Sequence, residues 1–200
     1  MKTEGYQIRD QSKPHFVTFT VVDWIDVFSR KIHKDLIVDS LNYCIENKGL
    51  IVFGYVIMTN HIHLILQSEN EELSSLIRDF KKFTSKALIQ QIQSKEESRR
   101  NWMLDLFQKS TQSHSRNKNF QVWKYGNHAE EIYSDKFLWS KLDYIHLNPV
   151  RQGIVEKASE YIYSSAKNYV LGEGLVDVSI IDNPIIDPLK KDSFWKSIQW

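Results

Sequence analysis

Two histidines one residue apart, His61 and His63, stand in an otherwise apolar run, MTNHIHLIL at 58–66. Alternate residues of a β-strand share a face. Both imidazoles would therefore project together while Ile62 and Leu64 turn to the other side. Two strand steps leave roughly 6–7 Å between their Cβ atoms, and from there the rings can converge on one ion. A divalent ion needs at least one further donor. Asn148, Asp143, His146, His128, Glu130 and Glu131 are available. Neutral nitrogens with an amide oxygen leave positions open. That suits Mg2+ or Mn2+ completed by phosphate oxygens and water better than a closed zinc site. Two polar residues on an edge strand would have the same spacing, so the pair by itself does not decide.

A nucleophile is offered by a second element. In SDKFLWSKLDYIHLNP (134–149), Tyr144 and Asn148 are four residues apart and share a helix face, with Lys141 one turn earlier. Leu138, Leu142 and Ile145 form a separate stripe that can pack on a sheet. A phenol beside a metal-bound phosphate can attack a phosphodiester once a cation or a base activates it. Packing at an interface is the ordinary alternative for any one of the nine tyrosines. His146 lies off the Tyr144 face and reads as structural.

These residues need elements that hold them. HFVTFTVV (15–22) is β-branched and aromatic and predicts a strand, followed by a loop, DWIDVFSR. Residues 34–49 have helical spacing and end on Gly49. LIVFGYVIM (50–58) and HIHLILQ (61–67) predict an antiparallel hairpin broken at Thr59-Asn60. Residues 70–93 predict a long amphipathic helix with Leu73, Leu76, Ile77, Phe80, Phe83, Ala87 and Leu88 on its apolar stripe. Residues 94–119 read as a partly helical, mobile insertion. Residues 120–134 read as a strand running into a turn at Gly126-Asn127. The last helix starts at the N-cap Ser134 and should end near Leu147 or Asn148, because Pro149 biases its predecessor away from helix. The order β, α, β, β, α, β, α favours an antiparallel α+β sheet with helices packed on one face.

Bulk properties narrow the class. The single cysteine, Cys44, excludes an internal disulfide framework and a cysteine-built zinc site, and reads as a small core residue. The N-terminal stretch lacks the apolar core of a signal peptide, and no run approaches the ~18–20 apolar residues of a membrane span. A cytoplasmic protein is the expectation. The formal net charge is only +1, yet residues 75–124 carry eleven Lys/Arg against four acids, so the rest of the chain is net acidic. A basic segment of this kind can present a local cationic surface to phosphates. No G-x-x-x-x-G-K-[ST] loop is present, so ATP chemistry is not indicated.

MTNHIHLIL followed by LDYIHLNPVRQGIV resembles the HUH single-tyrosine transposases, above all the REP-associated tyrosine transposases. The likeness spans roughly residues 5–165. It includes HFVTFTVV, LSSLIRDFKKFTSKAL and VWKYGNHAEEIYS, and their order is more specific than any one piece. The resemblance implies a ferredoxin-like sheet of the HUH endonuclease type over 1–165, with 166–200 as a C-terminal extension packing on it. It implies His61 and His63 as metal ligands, Asn148 as the third, Mg2+ or Mn2+ as the cofactor, and Tyr144 as the nucleophile. Expected DNA contacts are Arg78, Lys81, Lys82, Lys86, Lys124 and Lys141. The expected partner is single-stranded DNA with hairpin (REP-like) elements, cut and rejoined through a 5′-phosphotyrosine. A homodimer and a monomer are both compatible with the sequence. Two other readings are a hydrolase that uses water in place of tyrosine, and a domesticated hairpin-binding protein that no longer cuts.

Overall fold

Short β-branched and aromatic runs build the centre of the molecule. The computed structural model describes residues 8–94, 96–113 and 119–182. β1 (His15–Thr20), β2 (Leu50–Ile57), β3 (His61–Ser68) and β4 (His128–Glu131) form one sheet in the order β2-β3-β1-β4, with every neighbouring pair antiparallel. α1 (Lys31–Lys48) and α2 (Leu73–Ile92) complete the β-α-β-β-α-β order of a ferredoxin-like fold. The hairpin turns at Thr59-Asn60, where the Met58 N–H donates to the His61 carbonyl.

Alternation along β3 divides the sheet into two faces. Leu64 and Leu66 meet Phe19, Leu41, Leu76 and Phe80 beneath α1 and α2. His61, His63 and Ile65 turn to the other face, which is covered by α4 (Asp135–Arg151). α4 can lie close there because of Gly54. A Cβ on Gly54 would come within 2.7 Å of Leu142 Cδ2. The β2–β3 register slips between Val52 and Gly54, a bulge that carries Gly54 to the α4 side, opposite Ile65. Leu138, Leu142 and Ile145 are buried, as their stripe predicts. Ser134 caps the helix, its Oγ accepting the Phe137 N–H at 3.3 Å.

Several local expectations are corrected. α4 runs through Pro149 to Arg151. Pro149 removes only one late helical hydrogen bond, and the Gln152 N–H still reaches the Asn148 carbonyl at 3.1 Å. The strand expected before the Gly126 turn lies after it, at 128–131. Residues 121–124 instead bond to Thr20, Val22 and Phe107 where β1 gives way to a 3-10 turn at Val22–Trp24. On α2 the buried positions are 73, 77, 80, 84, 88, 89 and 92, so Thr84 faces inward and Phe83 is 62% exposed. Thr84 pays its desolvation cost by bonding the Phe80 carbonyl and the Trp123 indole N–H. Cys44 is only half-buried.

The described part of the 94–119 insertion is anchored. α3 (Arg100–Lys109) buries Met103 and Phe107, and Glu97 accepts from Arg99 and pairs with Arg30 and His33. Beyond α4, residues 163–165 and Ser179 hydrogen-bond along β2, covering an edge that would otherwise present unpaired backbone. α5 (Ala166–Leu171) and residues to Val178 add Ala166, Tyr169, Val176 and Val178 to the core. The remainder of the expected extension, 183–200, lies outside the described residues. Among the described residues no helix is long and apolar enough to cross a membrane.

Candidate active site

The histidine pair sits mid-sheet in a cross-strand pattern. Thr20 is opposite His61, and Thr18 lies between His63 on β3 and His128 on β4. The two imidazole centroids are 4.8 Å apart. Each ring is oriented through Nδ1. His61 Nδ1 meets Asn60 Oδ1 at 2.8 Å, and Asn60 spends its own amide N–H on Asp26 at 2.8 Å. That bond fixes the amide so that its oxygen faces His61, making Nδ1 the donor and leaving Nε2 with a free lone pair. His63 Nδ1 meets Thr18 Oγ1 at 2.9 Å. Its Nε2 is buried with no hydrogen-bond partner among the described residues.

Electrostatics keep both rings neutral. Burial pulls the His63 pKa down to about 3, with further lowering from His61, Lys141 and His128. Burial also lowers that of His61. Neutral imidazoles held through Nδ1 with Nε2 bare are what a metal ion requires of its ligands. The donor set therefore fits a divalent cation. Among the described residues no cluster of three His, Cys, Asp or Glu side chains suited to a metal occurs.

α4 brings Tyr144 over this face. Its ring centroid lies 5.0 Å from that of its own chain's His63 and 6.0 Å from that of Phe16. Tyr144 is 41% exposed, so the phenol borders both solvent and the imidazoles. Lys141 bonds Glu130 at 2.9 Å and lies over the Phe16 ring, close to the pair. The Arg151 guanidinium lies 5.9 Å from the Tyr144 ring centroid, two turns further along α4.

The other possible third ligands separate. His146 is fully buried and bonds Ser165 Oγ at 2.7 Å, a structural role. Glu130 is held by Lys141 and His128, and Glu131 alternates to the opposite face. Asn148, four residues after Tyr144 on α4, is buried where Tyr144 is exposed. The Asn148 Oδ1 accepts from Gln152 at 3.2 Å, and no hydrogen bond joins it to either imidazole.

Arg78, Lys81, Lys82, Lys86 and Lys124 all line one groove of about 1190 Å³ between α2 and residues 119–127. Lys82 and Lys86 are exposed there, and Arg78 pairs with Asp79. Lys81 differs. Its ammonium turns inward to Lys124 O, Gly126 O and Asn127 Oδ1, and burial lowers its pKa to about 8. Thr18, Asn60 and Arg151 are site residues that sequence reasoning did not single out. Thr18 needs the β1–β3 register to be seen, whereas Arg151 is seven residues from Tyr144 and legible from helix periodicity.

A ferredoxin-like sheet thus carries paired imidazoles on one face beneath an overlying phenol. The model of the IS200-like transposase family matches residues 9–125, and the chain belongs to that family. The match includes both histidines and stops before α4. Among solved structures, a REP-associated tyrosine transposase bound to a REP hairpin is similar. It superposes with a TM-score of 0.60 at 17% identity, over 90% of this chain and 98% of that one. At that identity the likeness is one of fold. No curated protein matches the sequence.

Proposed function

We propose that this protein cuts and rejoins hairpin-bearing single-stranded DNA through a covalent bond to Tyr144. One observation carries this reading: the bare, buried Nε2 of His63, with the His61 ring at 4.8 Å and the Tyr144 ring at 5.0 Å. His61 and His63 would hold Mg2+ or Mn2+, with the Asn148 amide oxygen as third donor. When bound, such an ion polarises a phosphoryl group and offsets its charge.

The chain's own residues account for the rest. Asn60 holds His61 in the tautomer that presents Nε2, and Thr18 orients the His63 ring through Nδ1. The exposed edge of Tyr144 lets its hydroxyl oxygen approach phosphorus from the solvent side. A bond forms between the phenol oxygen and phosphorus, and the bond to the 3′-oxygen breaks. The phenol proton is lost, the departing oxygen takes one up, and a free 3′-hydroxyl and a 5′-phosphotyrosine result. Attack by another 3′-hydroxyl reverses the step, so the energy of the phosphodiester is kept. Lys141 and Arg151 flank the phenol and supply positive charge to the phosphate. Lys82, Lys86 and Lys124 give the groove its affinity for the hairpin through phosphate contacts.

The test is incubation with hairpin oligonucleotides and Mn2+, followed by a denaturing gel. A protein–DNA band that needs Mn2+ and is lost in Tyr144→Phe supports the reading. Cutting by Tyr144→Phe at the wild-type rate would assign the chemistry to water. Binding without any cutting by the wild type would leave a hairpin-binding protein.

A further inference from the structure

We propose that Trp24 is the stacking platform for one unpaired nucleobase beside the scissile phosphate. The inference rests on the DNA-cutting reading above and adds a base-binding position to it.

The backbone at this point is strained. Asp23 and Trp24 are consecutive non-glycine residues in the left-handed region, at φ 52° and 56°. Such conformations cost free energy and persist only where the surroundings impose them. Here the Val22 N–H bonds the Val122 carbonyl at 2.8 Å, the Trp24 N–H bonds Val21 at 3.2 Å, and Val22 and Ile25 are buried on either side. The result is an indole held 56% exposed in place of joining the core. A rigid aromatic surface kept in water at a cost in backbone energy points to a ligand with a π-face.

Its neighbours identify the ligand. The indole stands edge-on to His61, with centroids 5.9 Å apart. The Lys124 ammonium lies 4.6 Å from the centre of its ring. Lys124 also lines the basic groove. Groove, Lys124, Trp24 and His61 thus form one continuous track from the cationic groove to the histidine pair. A strand leaving a bound stem along that track brings a phosphate to Lys124 and a base to the indole before its next phosphate reaches His61. Aromatic stacking accepts any base, and the larger π surface of a purine stacks best.

The test uses the full chain, in EDTA so that nothing is cut. Binding of hairpin oligonucleotides is measured by anisotropy, with an abasic site moved through each single-stranded position. At one position the abasic site should weaken wild-type binding roughly 5- to 150-fold, the range for loss of one stacked base. Trp24→Ala should weaken binding of intact DNA by a similar factor. Combining the two should add nothing further, while at other positions the penalties multiply. Trp24→Phe should retain most of the affinity. Trp102→Ala, which removes another exposed indole, should bind as wild type. Melting curves confirm that the variants fold. Wild-type affinity in Trp24→Ala, or multiplying penalties at every position, overturns the proposal. Because no cutting is needed, a failure of the Tyr144 chemistry leaves this coupling measurable and is distinguished from a failure of the platform.

Discussion

Gly54→Ala should damage both stability and catalysis although the residue touches neither DNA nor metal. Its new Cβ would sit 2.7 Å from Leu142 Cδ2, where unstrained carbons stay about 3.5–4.0 Å apart. Leu142 is fully buried and Ile145 Cδ1 already stands at 3.7 Å, which leaves the Leu142 methyl little room to turn aside, so relief of about 1 Å is expected to lift α4 off the sheet. Overpacking of this kind costs about 1–3 kcal/mol. For a chain of this size that lowers Tm by roughly 2–12 °C. Tyr144 is two residues beyond Leu142 and moves with it. A displacement of about 1 Å at a reacting group can cost on the order of 10²-fold in rate. Thermal melts and single-turnover cleavage of a hairpin oligonucleotide measure the two effects. Leu142→Val in the Gly54→Ala background should recover part of both. A Gly54→Ala protein with wild-type Tm and rate would refute the claim that close β2–α4 packing positions the tyrosine.

Other outcomes follow from the site. His63→Ala should abolish Mn2+ binding and cutting, whereas Thr18→Val, which removes only the Nδ1 partner, should weaken Mn2+ by about 10- to 100-fold and cut normally at high Mn2+; titration calorimetry distinguishes them. His146 and His63 both have folded-state pKa values lowered to about 3 by burial. The unfolded chain then binds more protons than the folded one between pH ~6.5 and ~3, so stability is full above that window and lost as pH falls through it. His146→Gln should flatten that loss in denaturant titrations at a series of pH values. Lys82→Gln and Lys86→Gln should each weaken hairpin binding and reduce the salt slope by about 0.9. Lys81→Gln should chiefly lower stability, because its ammonium holds the 124–127 turn.

What could be seen in the sequence depended on how local its cause was. The shared face of His61 and His63 follows from two-residue periodicity, and the Leu138, Leu142 and Ile145 stripe from helical periodicity, so both were legible. The β2–β3 hairpin was legible because its break is short and polar between two apolar runs. Thr18 as the partner of His63 was not, since it depends on the register of two strands 45 residues apart. The left-handed turn at Asp23-Trp24 is imposed by Val122 and the buried neighbours, and neither residue type announces it. Helical spacing with polarity favours Phe83 over Thr84 as the buried residue of α2, because polarity argues against burial. The hydrogen bonds of Thr84 to the preceding turn and to the Trp123 indole reverse that preference. Asn148 shares spacing with Tyr144 but not exposure, and helical spacing alone does not report how deep each residue lies.

The central claim is that one phenol among nine tyrosines is the attacking group. Wild-type protein incubated with a hairpin oligonucleotide and Mn2+, digested with protease and nuclease, can be mapped by tandem mass spectrometry. A nucleotide phosphate carried on Tyr144 through the 5′ side of the cut is the predicted result. An adduct on any other residue, or cut DNA with an unmodified Tyr144 peptide at every time point, would contradict it.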